Sequence, residues 1–324
     1  MKTCDVCGTF NLKENKYCTH CGCKIVNENI CPFCGMKNPD SSNVCIGCHK
    51  QITPIAIDSF DVLFSDYNRS LLLNPNFTID DYFDILKDMF KKLDYIEIVG
   101  KTPKEKVLQI ANVFTPVVPK SSGLVYGEYG SPIIFYDDRL DESLQISTII
   151  HELAHFLLFD LSVNMLCEIL DINPSSVIKS FIDHFLISSE IEVINEFYAH
   201  SVENRFIPLM YQDFNSFLMC ISTLGWNVED VEDFILLGNS FAHDIIFFLQ
   251  KYIDDNLRES IKLQFKIDMN DPKNNISFNY NNEILNHKKK NTMYIGLMAY
   301  YFEGFYLDKE ARGELEYVKY KYED

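Results

Sequence analysis

Nine of the eleven cysteines fall within the first 48 residues, and eight of them form four C-x2-C pairs: Cys4 with Cys7, Cys18 with Cys21, Cys31 with Cys34, and Cys45 with Cys48. The unit C-x2-C-x10-C-x2-C occurs twice, and every pair member is displaced by the same 27 residues, so the segment is an internal repeat. A unit of about 25 residues is too small to bury a core, so something other than packing must hold it together. Two cysteines this close fit on one tight turn with both sulfurs toward one metal. Gly8, Gly22 and Gly35, each directly after a pair member, permit the positive φ such a turn often needs. Two turns facing each other supply four thiolates in a tetrahedron, the donor set of structural Zn2+. A disulfide framework is the alternative. It requires an oxidising compartment, to which nothing in the sequence points. The repeat favours sequential pairing, Cys4, Cys7, Cys18 and Cys21 for one ion and Cys31, Cys34, Cys45 and Cys48 for the other. A crossed set would join Cys18 and Cys21 with Cys31 and Cys34. A four-thiolate site has no open coordination position, so both zinc ions are expected to be structural. Cys23 and His20 are read as bystanders.

Residues 1–50 resemble the double zinc ribbon family almost end to end. The resemblance implies two small β-hairpin units that act as an interaction module, here a candidate docking site for a protein substrate or partner. Charge argues against nucleic acid as that partner. The chain carries a net −18. Six lysines against four carboxylates leave residues 1–50 at +2, and 23 basic against 43 acidic side chains leave the remainder at −20. That is far from the basic footprint nucleic-acid binding needs. The N-terminus, MKTCDVCGTF, lacks an apolar signal stretch, and no apolar run approaches the roughly 18 residues of a membrane helix. A cytoplasmic chain without a membrane span is expected.

The 324 residues suffice for one full-sized core besides the cysteine module. Residues 51–58 (QITPIAID) read as a linker, and 59–324 as the main domain. Thr78 precedes IDDYFDILKDMFKKL with Asp81 three residues on, approximating a capping box, and Ile79, Phe83, Leu86, Phe90 and Leu93 keep helical spacing. Thr102-Pro103 opens another helix to about Val113, with proline at its first position. Residues 115–132 read as loop with a short strand at Leu124–Tyr126. The apolar run Ile133–Asp137 reads as a strand. A helix is expected from Asp141 to about Asp160, and mostly helix from Pro174 onward, broken by an irregular or hairpin segment at Asn270–Asn286. The basic run Lys288–Lys290 reads as a solvated face.

Within the helix after Asp141 stands His151-Glu152-Leu153-Ala154-His155. The i, i+4 spacing puts both imidazoles on one face, where they can hold one Zn2+. Glu152, beside His151, can reach a metal-bound water, whose pKa zinc lowers to roughly 7, and act as the catalytic base. The flanking Thr148-Ile-Ile and Phe156-Leu-Leu carry these polar groups into an apolar interior, which is costly unless something compensates them. Downstream, Glu192, Glu196, His200 and Glu203 are spaced to share one helical face amid Ile191, Val193, Ile194, Phe197 and Tyr198. That face can supply the third ligand. Tyr198, Tyr211, His243 and His287 are candidate oxyanion donors. Cys167, Cys220 and His184 read as core or boundary residues.

The run H-E-L-A-H followed by Asn195-Glu196-x-x-Ala199 resembles the gluzincin class of zinc metallopeptidases. With the preceding Ile-Ile-Phe-Tyr strand and Pro208, it is similar to the ImmA/IrrE-type peptidases over roughly residues 120–210. The resemblance implies an α+β, mostly helical zincin-like catalytic domain with a small β-sheet, here preceded by the two zinc ribbons. Its catalytic core would lie at about 120–210, with a helical C-terminal part at 211–324. It implies one catalytic Zn2+ held by His151, His155 and Glu196, besides the two structural ions, and hydrolysis of a cytosolic protein substrate. It also implies that an edge strand, here Ile133–Asp137, pairs with the extended substrate. Many gluzincins place an aspartate four residues after the ligand glutamate, where this chain has His200. Glu203 or Glu192 can then take the orienting role, and His200 is the alternative third ligand. A regulatory protein that uses this domain as a scaffold is the competing function, and retention of Glu152 favours the enzyme.

Overall fold

The computed structural model describes residues 57–121, 132–269 and 282–323. It also describes Met36, Asn38, Ile46, Gly47, Tyr280 and the backbone of short strands at 2–3, 10–11, 29–30, 37–38, 55–56 and 128–130. The expected structural zinc ligands, Cys4, Cys7, Cys18, Cys21, Cys31, Cys34, Cys45 and Cys48, lie outside the described residues. So do the strand expected at Leu124–Tyr126 and most of Asn270–Asn286. The chain divides into two units, Met1–Ala56 with Asp171–Asn173, and Ile57–Leu170 with Pro174–Asp324.

In the first unit β1 (Lys2–Thr3) pairs antiparallel with β2 (Phe10–Asn11), and β3 (Asn29–Ile30) with β4 (Lys37–Asn38). The partners Lys2↔Asn11 and Thr3↔Phe10 recur as Asn29↔Asn38 and Ile30↔Lys37, the displacement of the cysteine repeat. Asn38 is buried; its Nδ2 donates to the Met36 carbonyl at 2.8 Å and its Oδ1 accepts from the Ile46 amide at 2.8 Å. Within the stretch read as a linker, β5 (Ile55–Ala56) pairs in parallel with Ile172–Asn173.

The second unit is mostly helical. Its helices are α1 (Phe60–Leu63), α2 (Asp66–Leu73), α3 (Ile79–Lys91), α4 (Pro103–Phe114), α5 (Glu142–Leu170), α6 (Ser176–Leu186), α7 (Ser189–Asn204), α8 (Asn215–Thr223), α9 (Glu232–Leu249), α10 (Asp255–Asp268), α11 (His287–Leu307) and α12 (Arg312–Lys319). The two helix starts read from the sequence are capped as expected. Thr78 and Thr102 accept from the backbone three residues on, while Asp81 and Glu105 reach back to the cap amides. The Thr78 hydroxyl accepts from the Asp81 amide at 3.2 Å. Thr78→Ala is expected to cost about 1 kcal/mol, read as a lowered denaturant midpoint, with Thr78→Ser close to wild type.

α5 is the hub. It packs against α2, α3, α4, α6, α7 and α10. It runs ten residues beyond the expected end at Asp160, because Leu161, Val163, Met165 and Leu166 continue an apolar surface that the surrounding helices bury. Asp160 stays within the helix, half-buried, its backbone carbonyl accepting from Asn164 Nδ2 at 2.6 Å. Asp171, in the left-handed region at φ 53°, ends the helix. The expectation of no span-length apolar segment is thereby corrected. By length and composition α5 is apolar enough to cross a membrane, yet most of it is buried inside the protein, as befits a central helix.

The sheet beside α5 has three strands in the order β6 (Val117–Pro119), β8 (Ile133–Tyr136), β7 (Glu128–Gly130). β8 pairs in parallel with β6 and antiparallel with β7. Ile133–Asp137 is therefore a central strand, not an edge, and cannot take up a substrate backbone while both its neighbours are in place. Its buried Ile134 and Tyr136 alternate with half-buried residues, and the strand packs on α5. After β8 the buried Asp137 accepts from Arg139 Nε at 2.8 Å, Nη2 at 2.6 Å and backbone N at 3.0 Å, which fixes the turn toward α5. These bonds hold the Asp137 carboxyl down to about 2.

A further correction concerns Lys290. It is fully buried rather than solvated, with its ammonium on Asp244 and 3.8 Å from the centroid of the Tyr82 ring.

Candidate metal centre

α5 and α7 carry the polar groups that the sequence put on single helical faces, and the two helices pack against each other. α7 is brought close to α9 at Gly238, where an added Cβ would lie 3.0 Å from the Ile194 carbonyl oxygen and 3.2 Å from the Phe197 ring. Ile191, Val193, Ile194, Phe197 and Tyr198 are buried completely, as expected for the apolar side of α7. The opposite side then turns Glu196, His200 and Glu203 toward α5. Glu192, on the same stripe one turn earlier, is exposed, and partial burial together with the Glu196 charge raises its carboxyl pKa.

The Nε2 atoms of His151 and His155 lie 3.1 Å apart. Glu196 brings Oε2 to 3.6 Å from the first and Oε1 to 3.5 Å from the second. For bonds of 2.0–2.1 Å, tetrahedral zinc places neighbouring donors about 3.4 Å apart. His151, Glu196 and His200 also form a group that could hold a metal ion, with ligand atoms within 4.8 Å of one another.

The outer nitrogens of both motif histidines are engaged. His151 Nδ1 lies 3.0 Å from Glu203 Oε2, and His155 Nδ1 lies 2.8 Å from Asn195 Oδ1. An oxygen acceptor on Nδ1 fixes each ring with Nδ1–H donating and the Nε2 lone pair turned inward. Two lone pairs and a carboxylate aimed at one point repel unless a cation sits among them. Burial opposes a charge on His151, but Glu196 and Glu203 outweigh it and hold that pKa well above the ordinary imidazole value. Burial brings His155 down to about 4, against the pull of Glu196. Burial alone would raise the Glu196 and Glu203 carboxyls, yet the adjacent imidazoles bring both well below the usual range. The cluster is thus built around positive charge, which a metal ion would supply.

Glu152 is buried on α5 next to His151. His200 is buried on α7, its Nε2 2.7 Å from Ser216 Oγ. Ser216 in turn donates to Glu196 Oε2, and Ser147 donates to Glu203 Oε1. Sequence reasoning missed both serines and the role of Asn195. Ser147 stands one turn before His151, and Asn195 adjoins Glu196, so spacing could have found them. Ser216 carries no local signal.

The oxyanion candidates mostly belong elsewhere. His243 and His287 face Asp244, each at 3.6 Å, and the Tyr211 hydroxyl donates to the Met269 carbonyl at 3.0 Å. Tyr198 is buried, its hydroxyl without a hydrogen-bond partner among the described residues. Cys167 is buried and Cys220 half-buried, and burial pushes each thiol up to about 12. His184 packs edge-on against Phe305 at 5.1 Å.

The sequence of the hub helix decides what the chain is similar to. Residues 105–170 match the IrrE N-terminal-like domain, Peptidase_M78. The match begins in α4, takes in the sheet and all of α5 with its H-E-x-x-H, and stops before α7, so Glu196, His200 and Glu203 lie beyond it. It points to a metallopeptidase domain, covering about a fifth of the chain. No curated protein and no solved structure matches the chain.

Proposed function

We propose that the chain is a zinc metallopeptidase that hydrolyses a peptide bond in a cytoplasmic protein. The observation that carries this reading is the convergence of His151 Nε2, His155 Nε2 and the Glu196 carboxylate at 3.1–3.6 Å beside Glu152. His151, His155 and Glu196 would hold the ion, whose chemistry is to polarise the scissile carbonyl and acidify water. Glu152 takes the proton from the attacking water and passes it to the leaving amine. Glu203 and Asn195 keep the histidine rings turned inward. The substrate backbone pairs with an outer edge of the sheet. β7, which runs beside β8 and packs on α5, is the strand for it.

Residues 1–50 form two zinc ribbons that dock a substrate or partner. Cys4, Cys7, Cys18 and Cys21 hold one structural ion, and Cys31, Cys34, Cys45 and Cys48 the other. The repeated hairpin registers and the repeated cysteine spacing support this. Residues 59–324 form the peptidase domain. Elemental analysis of the metal-replete full chain is expected to give three zinc equivalents, and two for His151→Ala/His155→Ala. Equal counts for the two proteins would remove the catalytic ion from the proposal.

A further inference from the structure

The chain departs from the gluzincin pattern at His200, where an orienting aspartate is usual. What stands there is a histidine hydrogen-bonded to a serine of the next helix. His200 Nε2 lies 2.7 Å from Ser216 Oγ, and Ser216 donates to Glu196 Oε2. A serine has one proton, so with it committed to the carboxylate the hydroxyl accepts from His200 Nε2–H. On its other side the buried His200 Nδ1 lies 3.3 Å from Glu203 Oε2 without making a hydrogen bond, and that oxygen also lies 3.0 Å from His151 Nδ1. Hydrogen bonds thus run from His200 through Ser216 to Glu196, one of the three proposed zinc ligands.

The packing makes this path stiff. Ser216 lies between Phe214 and Phe217, and both rings pack on Phe197, the residue after Glu196: Phe214 stacked at 5.3 Å, Phe217 edge-on at 5.2 Å. Phe197 and Phe217 belong to a core with Val193, Ile221, Val231 and Ile235. Ser216 therefore sits at a fixed height against Glu196, on a different helix. His200 is held at Nε2 by that serine.

Resting on the proposed zinc site, we infer that Ser216 and His200 are positioning residues that fix the Glu196 carboxylate, with His200 acting through Ser216 and not as a ligand. Removing either link frees Glu196 to rotate and weakens the ion's hold. The bridge from His200 through Ser216 is one device, so losing both links costs little more than losing one.

The test uses the full chain and measures zinc affinity by competition with a chromophoric chelator. The catalytic equivalent is the one missing from His151→Ala/His155→Ala. Ser216→Ala and His200→Ala are each expected to weaken it by about tenfold or more, the double variant similarly, and Ser216→Thr is expected to restore it. Melting of the metal-free proteins monitors folding. Wild-type affinity in Ser216→Ala and His200→Ala overturns the bridge, as does a loss in Ser216→Ala that Ser216→Thr fails to rescue. Complete loss of the equivalent in His200→Ala alone makes His200 a ligand and overturns it too. If the wild-type chain binds no more zinc than His151→Ala/His155→Ala, the metal site itself is wrong and the bridge falls with it.

Discussion

Glu152→Gln is expected to lower peptide hydrolysis by roughly two to four orders of magnitude while leaving the zinc count unchanged. The two halves of this result have separate causes. Glu152 is buried on α5 directly after His151. Two imidazoles at i, i+4 converge from one face, and the residue next to the first of them is turned away from that point by one helical step. Gln keeps the size and the helix propensity of Glu but cannot accept the water proton. The ligands His151, His155 and Glu196 are untouched, so the ion stays. Hydrolysis is followed on an unfolded protein by mass spectrometry of the fragments, whose masses themselves locate the cleavage site. A variant that cleaves at the wild-type rate removes Glu152 from the chemistry. A variant that loses the third zinc equivalent makes Glu152 part of the metal's support instead.

Much of this centre was legible because helices make local spacing into geometry. His151 and His155 on one helix and Glu196, His200 and Glu203 on another are each a matter of 3.6 residues per turn, and hydrophobic neighbours fix which way each face turns. The capped starts at Thr78 and Thr102 were legible for the same reason. What the sequence hid was set by partners distant along the chain. Strand order is a fact of pairing: nothing within Ile-Ile-Phe-Tyr tells that β6 and β7 flank it. The continuation of α5 past Asp160 depends on the helices that bury Leu161 to Leu166. Ser216 reaches Glu196 only because Phe214 and Phe217 dock on Phe197. Lys290 lay in a run of three lysines that reads as solvent-facing, and its burial follows from a carboxylate 46 residues upstream.

That carboxylate, Asp244, sets the largest effect expected away from the site: Asp244→Ala should destabilise the protein by about 3–5 kcal/mol. Lys290 on α11 is fully buried, its ammonium in contact with Asp244 of α9, 3.8 Å from the Tyr82 ring centroid and 4.8 Å from that of Phe241. The Tyr82 hydroxyl donates to the same carboxylate at 2.9 Å, so Asp244 joins α3, α9 and α11. Truncating it strands an ammonium without its counter-charge and leaves a buried phenol without an acceptor, and neither can reach water. Replacing both charges, as Asp244→Leu/Lys290→Met, should recover most of the loss, because two apolar side chains of similar volume need no partner. The same pair should show in the pH dependence. Burial brings Lys290 down to about 8, only partly offset by Asp244. An unfolded lysine titrates near ~10.4, so between about pH 8 and that value the unfolded chain holds a proton the folded chain has shed. The contribution of Lys290 to stability therefore rises with pH across that window and is lost as pH falls through about 8. Urea denaturation at a series of pH values compares wild type with Lys290→Met. The difference between their stabilities should change with pH in that window and level off below it. A difference that stays flat from neutral pH to pH ~10 would mean that Lys290 titrates as an ordinary solvated lysine and that Asp244 fully offsets its burial.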